Sequence, residues 1–357
     1  MQTKGKKVVV AMSGGVDSSV SAALLKEQGF DVVGAFMKCW NAEDFLGGEC
    51  SSEEDEYWAR RAAAHLNIPF YSFDLVDEYK KRVVDYFVAE YNAGRTPNPD
   101  VMCNSEIKFG VFFDKVMEAF GADYIATGHY ARVRQESDGS VTLLRGIDSN
   151  KDQSYFLYRV GAERLAKTLF PVGEYEKPKV REFAKKFGLP NADKKDSQGI
   201  CFIGNVDMKD FLRGRVSATP GSVVTAEGKV VGEHEGLAFY TIGQRKGIGS
   251  FGGGVPYYVI AKNTEKNELV VGMAYDEDLS RTTATITDVC WVGKEPQEAK
   301  VYTASIRYRQ KPQEVTVTKE EGGFTLHFTQ SQRAVTEGQS AVVYDGDILL
   351  GGGIIEK

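Results

Sequence analysis

From Val8 to about Asp210, compact apolar runs alternate with stretches whose apolar positions recur at helical spacing. Val8 to Met12, Asp31 to Met37, Phe70 to Leu75 and Tyr124 to Thr127 are short and apolar enough to be buried strands. Val20 to Gln28, Glu53 to Leu66, Asp77 to Tyr91 and Ser105 to Phe120 read as helices between them. This alternation predicts an α/β domain, a doubly wound parallel sheet with helices on both faces. Ligands then lie at the carboxyl ends of the strands, where the turn after Met12, Met37 and Gly128-His129 would meet. Beyond Asp210 the period falls to two and glycine becomes frequent. Ser222 to Val231 and Tyr257 to Val271 read as hairpins. Short strands follow at Ala284 to Val292, Val301 to Tyr308, Glu314 to Thr318, Thr325 to Phe328, Ser340 to Tyr344 and Ile348 to Ile355, which predicts a small β-barrel. The expected division is a catalytic α/β domain over 1–209, a small β-rich central domain over 210–273 and a C-terminal β-barrel over 274–357.

At 357 residues and 42% hydrophobic content the chain is long enough for several cores. It contains no apolar run of about 18 residues, and Met1 leads through lysines into a strand without an apolar leader. The expectation is a soluble cytoplasmic protein with no membrane partner. The net charge of −6 argues against indiscriminate nucleic-acid binding. Local basic faces remain available: Lys177, Lys179, Arg181, Lys185, Lys186, Lys194 and Lys195 cluster before Asp196, and Arg213, Arg215, Arg245 and Lys246 form a second group. The five cysteines are odd in number and contain no C-x-x-C, which points away from a disulfide scaffold or a zinc site.

The turn after the first strand reads Ser13-Gly14-Gly15-Val16-Asp17-Ser18-Ser19 and runs into a helix. Strand, glycine turn and helix start make a phosphate cradle: the glycines allow positive φ and close approach of an anion, while hydroxyls lie beside the first helical N–H groups. Asp17 is an unusual neighbour for a phosphate, and orienting a Mg²⁺ shared with the phosphates would explain it. No Walker A pattern occurs. Gly247-Ile-Gly249-Ser-Phe-Gly252 spells a dinucleotide fingerprint, but Pro256 and a strand follow instead of a helix, so it reads as a loop.

Two cysteines sit among turn residues. Cys103 lies in Thr96-Pro-Asn-Pro-Asp-Val-Met-Cys-Asn104, just before the predicted helix Ser105 to Phe120, where the helix dipole would favour its thiolate. Cys201 lies in Asp196-Ser-Gln-Gly-Ile-Cys-Phe-Ile-Gly204. Spacing alone leaves open that these are two unrelated buried thiols. Cys39, Cys50 and Cys290 read as core filler, His65 as a satisfied helix-face residue, and His129 as either a nucleotide-site or a structural residue.

The S-G-G-x-D-S loop matches the PP-loop pyrophosphatases, which split ATP between the α and β phosphates. By itself it leaves GMP, NAD, argininosuccinate and tRNA lysidine synthetases in play. SGGVDSS, TPNPDxxCN, ATGHYAR, KDQSYFL, DSQGICFIG and SIRYRQ together, in order and spacing from Lys6 to the C-terminus, resemble the bacterial-type tRNA-specific 2-thiouridylases. Asn41 to Ser52 is individual to this chain.

That resemblance implies ATP and Mg²⁺ bound at Ala11, Met12, Ser13, Gly14, Gly15, Val16, Asp17 and Ser18, with Met37 and Gly128 near the adenosine. It implies adenylation of the C2 oxygen of the wobble uridine (position 34) in the anticodon stem-loop of tRNAs for Lys, Glu and Gln. Sulfur would come from a persulfide on Cys201, with Cys103 as partner thiolate and a cysteine desulfurase or relay protein as donor. Asn98, Pro99 and Asp100 resemble residues around the target base; Lys151, Asp152, Gln153, Arg307 and Tyr308 resemble tRNA contacts. An alternative gives Asp100, Cys103 and Cys201 an iron–sulfur cluster instead. An amide-forming ligase, indifferent to the thiols, and a non-catalytic RNA- or nucleotide-binding protein remain as rival classes.

Overall fold

A computed structural model of the chain describes residues 4–41, 52–196, 201, 208–248, 256–273 and 277–356. Cys50 and most of the Gly247 to Gly252 loop lie outside the described residues. Strands β1 (Lys7–Ala11), β2 (Asp31–Lys38), β3 (Phe70–Asp74), β4 (Tyr124–Ala126) and β7 (Thr168–Leu169) form a parallel sheet in the order β3-β2-β1-β4-β7. Successive β1 residues feed opposite cores. Val8 and Val10 pack with helices α1 (Val16–Glu27), α2 (Ser52–His65) and Lys177–Lys186; Val9 packs with the helices over 76–92 and 99–120. The expected two-faced sheet is therefore present, and its order reverses between β1 and β4, where a ligand crevice opens at the carboxyl edge.

The second predicted texture also holds. Strands β8 (Gly221–Thr225), β9 (Val230–His234), β10 (Tyr257–Asn263) and β11 (Glu268–Met273) make a four-stranded sheet around Val223, Val259, Leu269 and Val271. Strands β12 (Ser280–Trp291), β13 (Tyr302–Ser305), β14 (Gln313–Glu320), β15 (Gly323–Arg333), β16 (Ser340–Asp345) and β17 (Ile348–Ile355) form a six-stranded barrel closed by the β12–β17 pair.

Two features of the fold lay outside the sequence reading. A hairpin, β5 (Ala131–Gln135) and β6 (Val141–Arg145), leaves the α/β domain and joins the barrel sheet through β6 on β17. All three parts also meet at the approach to Asn98. Lys262 donates to the Gly94 carbonyl at 3.0 Å, Thr96 pairs with Thr241 at 3.3 Å, and Gln339 Nε2 donates to the carbonyls of Thr96 and Pro97. The segment that leads to Cys103 is thus held from three sides.

Candidate active site

At the carboxyl end of β1 only one glycine uses its freedom. Gly14 is left-handed (φ +75°), whereas Gly15 caps α1 in extended backbone. A Cβ on Gly14 would lie 2.1 Å from the Asp55 carbonyl oxygen, because the first turn of α2 closes over the loop. Gly128 is needed for a similar reason: its Cβ would come 2.6 Å from the Ser18 nitrogen. The loop is braced internally by Ser18 Oγ, which accepts from Ser13 N at 3.1 Å, and externally by Asn191, whose Nδ2 donates to the carbonyls of Gly14 and Gly15. Met12 and Met37 are buried, in the cores on opposite faces of the sheet.

The Asp17 carboxylate accepts the Lys177 ammonium at 2.7 and 2.9 Å and the Tyr130 hydroxyl at 2.9 Å. Lys177 also reaches Asp196 at 2.8 Å, and Asp196 gathers Lys151 at 2.8 Å and Arg181 at 2.7 Å. Burial works against the Asp196 charge, but Lys151 and Lys177 outweigh it and hold the carboxyl at about 2. The basic run before Asp196 is therefore not one solvated face. Lys177, Arg181 and Lys194 turn inward to acidic partners or carbonyls, while Lys179 and Lys186 make surface pairs with Glu182 and Glu27.

Cys103 does not stand ahead of its helix, as the sequence predicts, but inside it. Asn98 Oδ1 accepts the N–H groups of Asp100 and Val101, Pro99 follows at the first helical position, and the helix runs over 99–120. Cys103 is thus inside the helix, fully buried, and burial pushes its pKa well above the ordinary thiol value. Cys201, half-buried, packs against it. A hydrogen bond from the Cys103 thiol and the nearby Lys108 ammonium outweigh burial and bring Cys201 down to about 7. Of the two thiols, Cys201 is the one whose pKa is lowered and Cys103 the one whose pKa is raised.

The polar groups around this pair are fixed. Cys201 N donates to Asp100 Oδ1 at 3.0 Å, and the Tyr79 hydroxyl donates to the Cys201 carbonyl at 2.8 Å. Burial raises the Asp100 carboxyl against the pull of that Cys201 N–H. Lys108, which the sequence reading missed, is hydrogen-bonded to the Cys201 thiol. Burial opposes its charge, but Cys201, Cys103 and Asp100 more than compensate and raise its pKa. Lys108 follows Cys103 by five residues, and an α-helix would turn it about 140° away; the wider π turn over Cys103–Val111 brings the two together. Cys39, at the end of β2, is a third buried thiol beside the pair.

Asp100, Cys103 and Cys201 as placed do not fit an iron–sulfur cluster. The two thiols are hydrogen-bonded to each other, the carboxylate is engaged by a backbone N–H, and a lysine ammonium occupies the same pocket. Among the described residues no group of three or more His, Cys, Asp or Glu side chains is arranged to hold a metal.

The remaining sequence-predicted residues separate. Asp152 accepts from Arg145, Gly146 N and Ser154, and Gln153 exchanges hydrogen bonds with the Tyr130 backbone, so both are occupied in shaping their own turn. Arg307 and Tyr308 line a cleft of about 500 Å³ between the β5–β6 hairpin and the barrel, together with Arg132, Arg145, Arg309 and Lys311. His129 is buried, bonded to Thr127 Oγ1 at 2.7 Å and packed between Phe109 and Phe170. His65 Nε2 donates to the Phe187 carbonyl at 2.8 Å, as a satisfied helix-face residue should. Cys290 sits half-buried in β12.

Residues 6–205 match the family model described as a tRNA methyl transferase HUP domain, residues 209–273 its PRC-barrel domain, and residues 281–355 an aminomethyltransferase beta-barrel domain. The chain is 50% identical over 357 residues to the tRNA-specific 2-thiouridylase MnmA of Streptococcus sanguinis, covering 98% of this chain and 95% of the relative. It is also 50% identical over 361 residues to the protein of the same name from Pseudomonas fluorescens, covering 99% and 95%. Among solved structures, a 4-thiouridine synthetase–RNA complex with bound ATP aligns at 19% identity and a TM-score of 0.34, over 56% of this chain and 45% of that one, a likeness too slight to bear on the chemistry. Among the described residues no helix is long and apolar enough to cross a membrane.

Proposed function

We propose that this chain, which belongs to the tRNA-specific 2-thiouridylase family, adenylates the C2 oxygen of the wobble uridine (position 34) and then replaces it with sulfur carried on Cys201. The observation that carries this reading is the Cys201–Cys103 hydrogen bond beside Lys108, at the same sheet edge as the phosphate loop. An amide-forming ligase has no use for such a pair.

The C2 oxygen is a poor leaving group until it is esterified. In the first step it attacks the α-phosphate of ATP held over Ser13 to Ser18, the Pα–O bond to the β-phosphate breaks, and pyrophosphate leaves with the electron pair. The fixed N–H groups of the loop and first turn of α1 stabilise that charge. Exposure divides the thiols between two later roles. Cys201, half-buried and with its pKa lowered to about 7, is the sulfur offered to a donor persulfide; Cys103, 0% exposed, acts from behind it. The Cys201 thiolate takes the outer sulfur of the donor and becomes a persulfide. Cys103 attacks Cys201 Sγ and gives its thiol proton to the departing sulfur, the S–S bond breaks, and the released hydrosulfide adds at C2, loses that proton as the C=S bond forms, and expels AMP. The sulfane sulfur is reduced, the two thiols are oxidised to a Cys103–Cys201 disulfide, and an external dithiol restores them.

The proposed anticodon-arm surface is the basic cleft between hairpin and barrel, with Lys151 nearby and the Asn98-Pro99-Asp100 turn at the base pocket. The base must leave its stack to reach C2, and a half-buried ring such as Tyr308, tilted against Phe156 at 4.3 Å between centroids, suits an unstacked RNA loop. Arg307→Ala is expected to weaken tRNA binding and to lower the salt slope by about one, as for one lost phosphate contact; an unchanged slope in a salt titration removes the cleft from the interface. The function itself is tested by mass spectrometry of tRNA nucleosides after incubation with protein, ATP and a persulfide donor. ATP-dependent 2-thiouridine at position 34 supports the reading. Pyrophosphate release without any thionucleoside would return the ligase alternative.

A further inference from the structure

We propose that Lys177 is a further catalytic residue, the ammonium that takes up the charge of the departing pyrophosphate. The proposal rests on the adenylation reading above and assigns it a group that the sequence motifs do not contain.

A carboxylate in the first turn of a helix that receives ATP would repel the phosphates if left alone. Asp17 is not left alone. Lys177 arrives from 160 residues further along the chain, its side chain only 12% exposed, and places its ammonium on both oxygens of Asp17. The start of its own helix is pinned by the Lys177 N–H on Asp148 Oδ2 at 2.9 Å, so the side chain leaves from a fixed point. Tyr130 holds Asp17 from the other side.

Two features suit this ammonium to a phosphate and not merely to neutralising Asp17. A lysine has three N–H donors, and here they meet Asp17 Oδ1, Asp17 Oδ2 and Asp196 Oδ1. The double contact to Asp17 is redundant: one N–H can turn to a phosphate oxygen with both ion pairs kept. Finally, Asp196 is held by Lys151 and Arg181 as well as by Lys177, so it stays in place when Lys177 shifts.

In the step as written, the C2 oxygen bonds to Pα and the Pα–O–Pβ bond breaks toward the β-phosphate. The new negative charge falls on the pyrophosphate oxygen, and Lys177 donates to that group. AMP stays on the uridine and gains nothing from Lys177.

This difference supplies the test. In the full-length protein, with tRNA and ATP, product inhibition is measured separately for pyrophosphate and for AMP in the wild type, Lys177→Met and Lys177→Arg. The expected result for Lys177→Met is slower tRNA-dependent ATP cleavage and a pyrophosphate inhibition constant raised about tenfold or more, as for loss of one charge-assisted contact, with AMP inhibition unchanged. Lys177→Arg should recover part of the pyrophosphate affinity. Equal changes for pyrophosphate and AMP, or none, would overturn the proposal in favour of a structural counter-ion. If Lys177→Met does not fold, the pyrophosphate-to-AMP ratio in Lys177→Arg decides, because an altered donor geometry should move it and a counter-ion role should not. Absence of pyrophosphate release by the wild type would instead remove the adenylation reading itself.

Discussion

Cys201→Ser is expected to abolish 2-thiouridine formation, by at least about a thousandfold, while tRNA-dependent pyrophosphate release continues near the wild-type rate. A hydroxyl neither accepts nor hands on sulfane sulfur, and the substitution leaves the Ser13 to Ser18 loop, Asn191 and Lys177 untouched. Cys103→Ser should lose thiolation to the same extent by a different failure. Its Cys201 still loads from a persulfide donor, so the extra sulfur should persist on the Cys201 peptide and be visible as a mass increment. The two variants therefore separate loading from release. Loss of pyrophosphate release in Cys201→Ser would mean that the thiol acts in activation, and the division of labour between loop and thiols would be wrong.

The next largest effect is expected at Lys108. Cys201 is drawn down to about 7 by the Cys103 hydrogen bond first and by Lys108 after it, with burial and Asp100 opposing. A lowered thiol pKa means that the reactive anion is present at neutral pH and is lost as the pH falls through about 7. Lys108→Met removes one of the two lowering influences. The alkylation midpoint of Cys201 should move upward by roughly one unit, and sulfur loading at neutral pH should slow roughly fivefold. Lys108→Arg should keep the midpoint near the wild-type position. The measurement is the pH dependence of iodoacetamide labelling at the Cys201 peptide. A midpoint that does not move in Lys108→Met would leave the lysine as packing only.

The positions of both residues show where sequence ends as a guide. The phosphate loop, the parallel sheet and the barrel follow from local periodicity and turn chemistry, and those are properties that neighbouring residues carry together. Asn98-Pro99 was also a readable helix start, a capping side chain followed by proline at the first helical position. Taking the helix from Ser105 placed Cys103 outside it, at a helix start that in fact lies four residues earlier at Pro99. Lys108 had no such signal: it shares a face with Cys103 only because the helix widens there, and no periodicity forecasts a π turn. The β5–β6 hairpin carried a visible Asp138-Gly139 turn between alternating residues, but its destination on β17 depends on a barrel edge two hundred residues away in the chain, and distant edge pairing leaves no local trace. Charge misled most. Lys177, Arg181 and Lys194 read as part of a basic face because their partners Asp17, Asp196 and Asp55 are remote or ambiguous in sequence. The fold turns those three inward onto their acidic partners.

The central claim is that two thiols, brought into hydrogen-bond contact from helix and loop, pass one sulfur to the activated base and are left joined. Peptide mapping after a single turnover measures this directly, with persulfide-loaded protein, ATP and tRNA, no reductant, and thiols blocked at quench. One Cys103–Cys201 disulfide for each 2-thiouridine formed is the predicted result. Thiouridine formed while both cysteines remain alkylatable would contradict it.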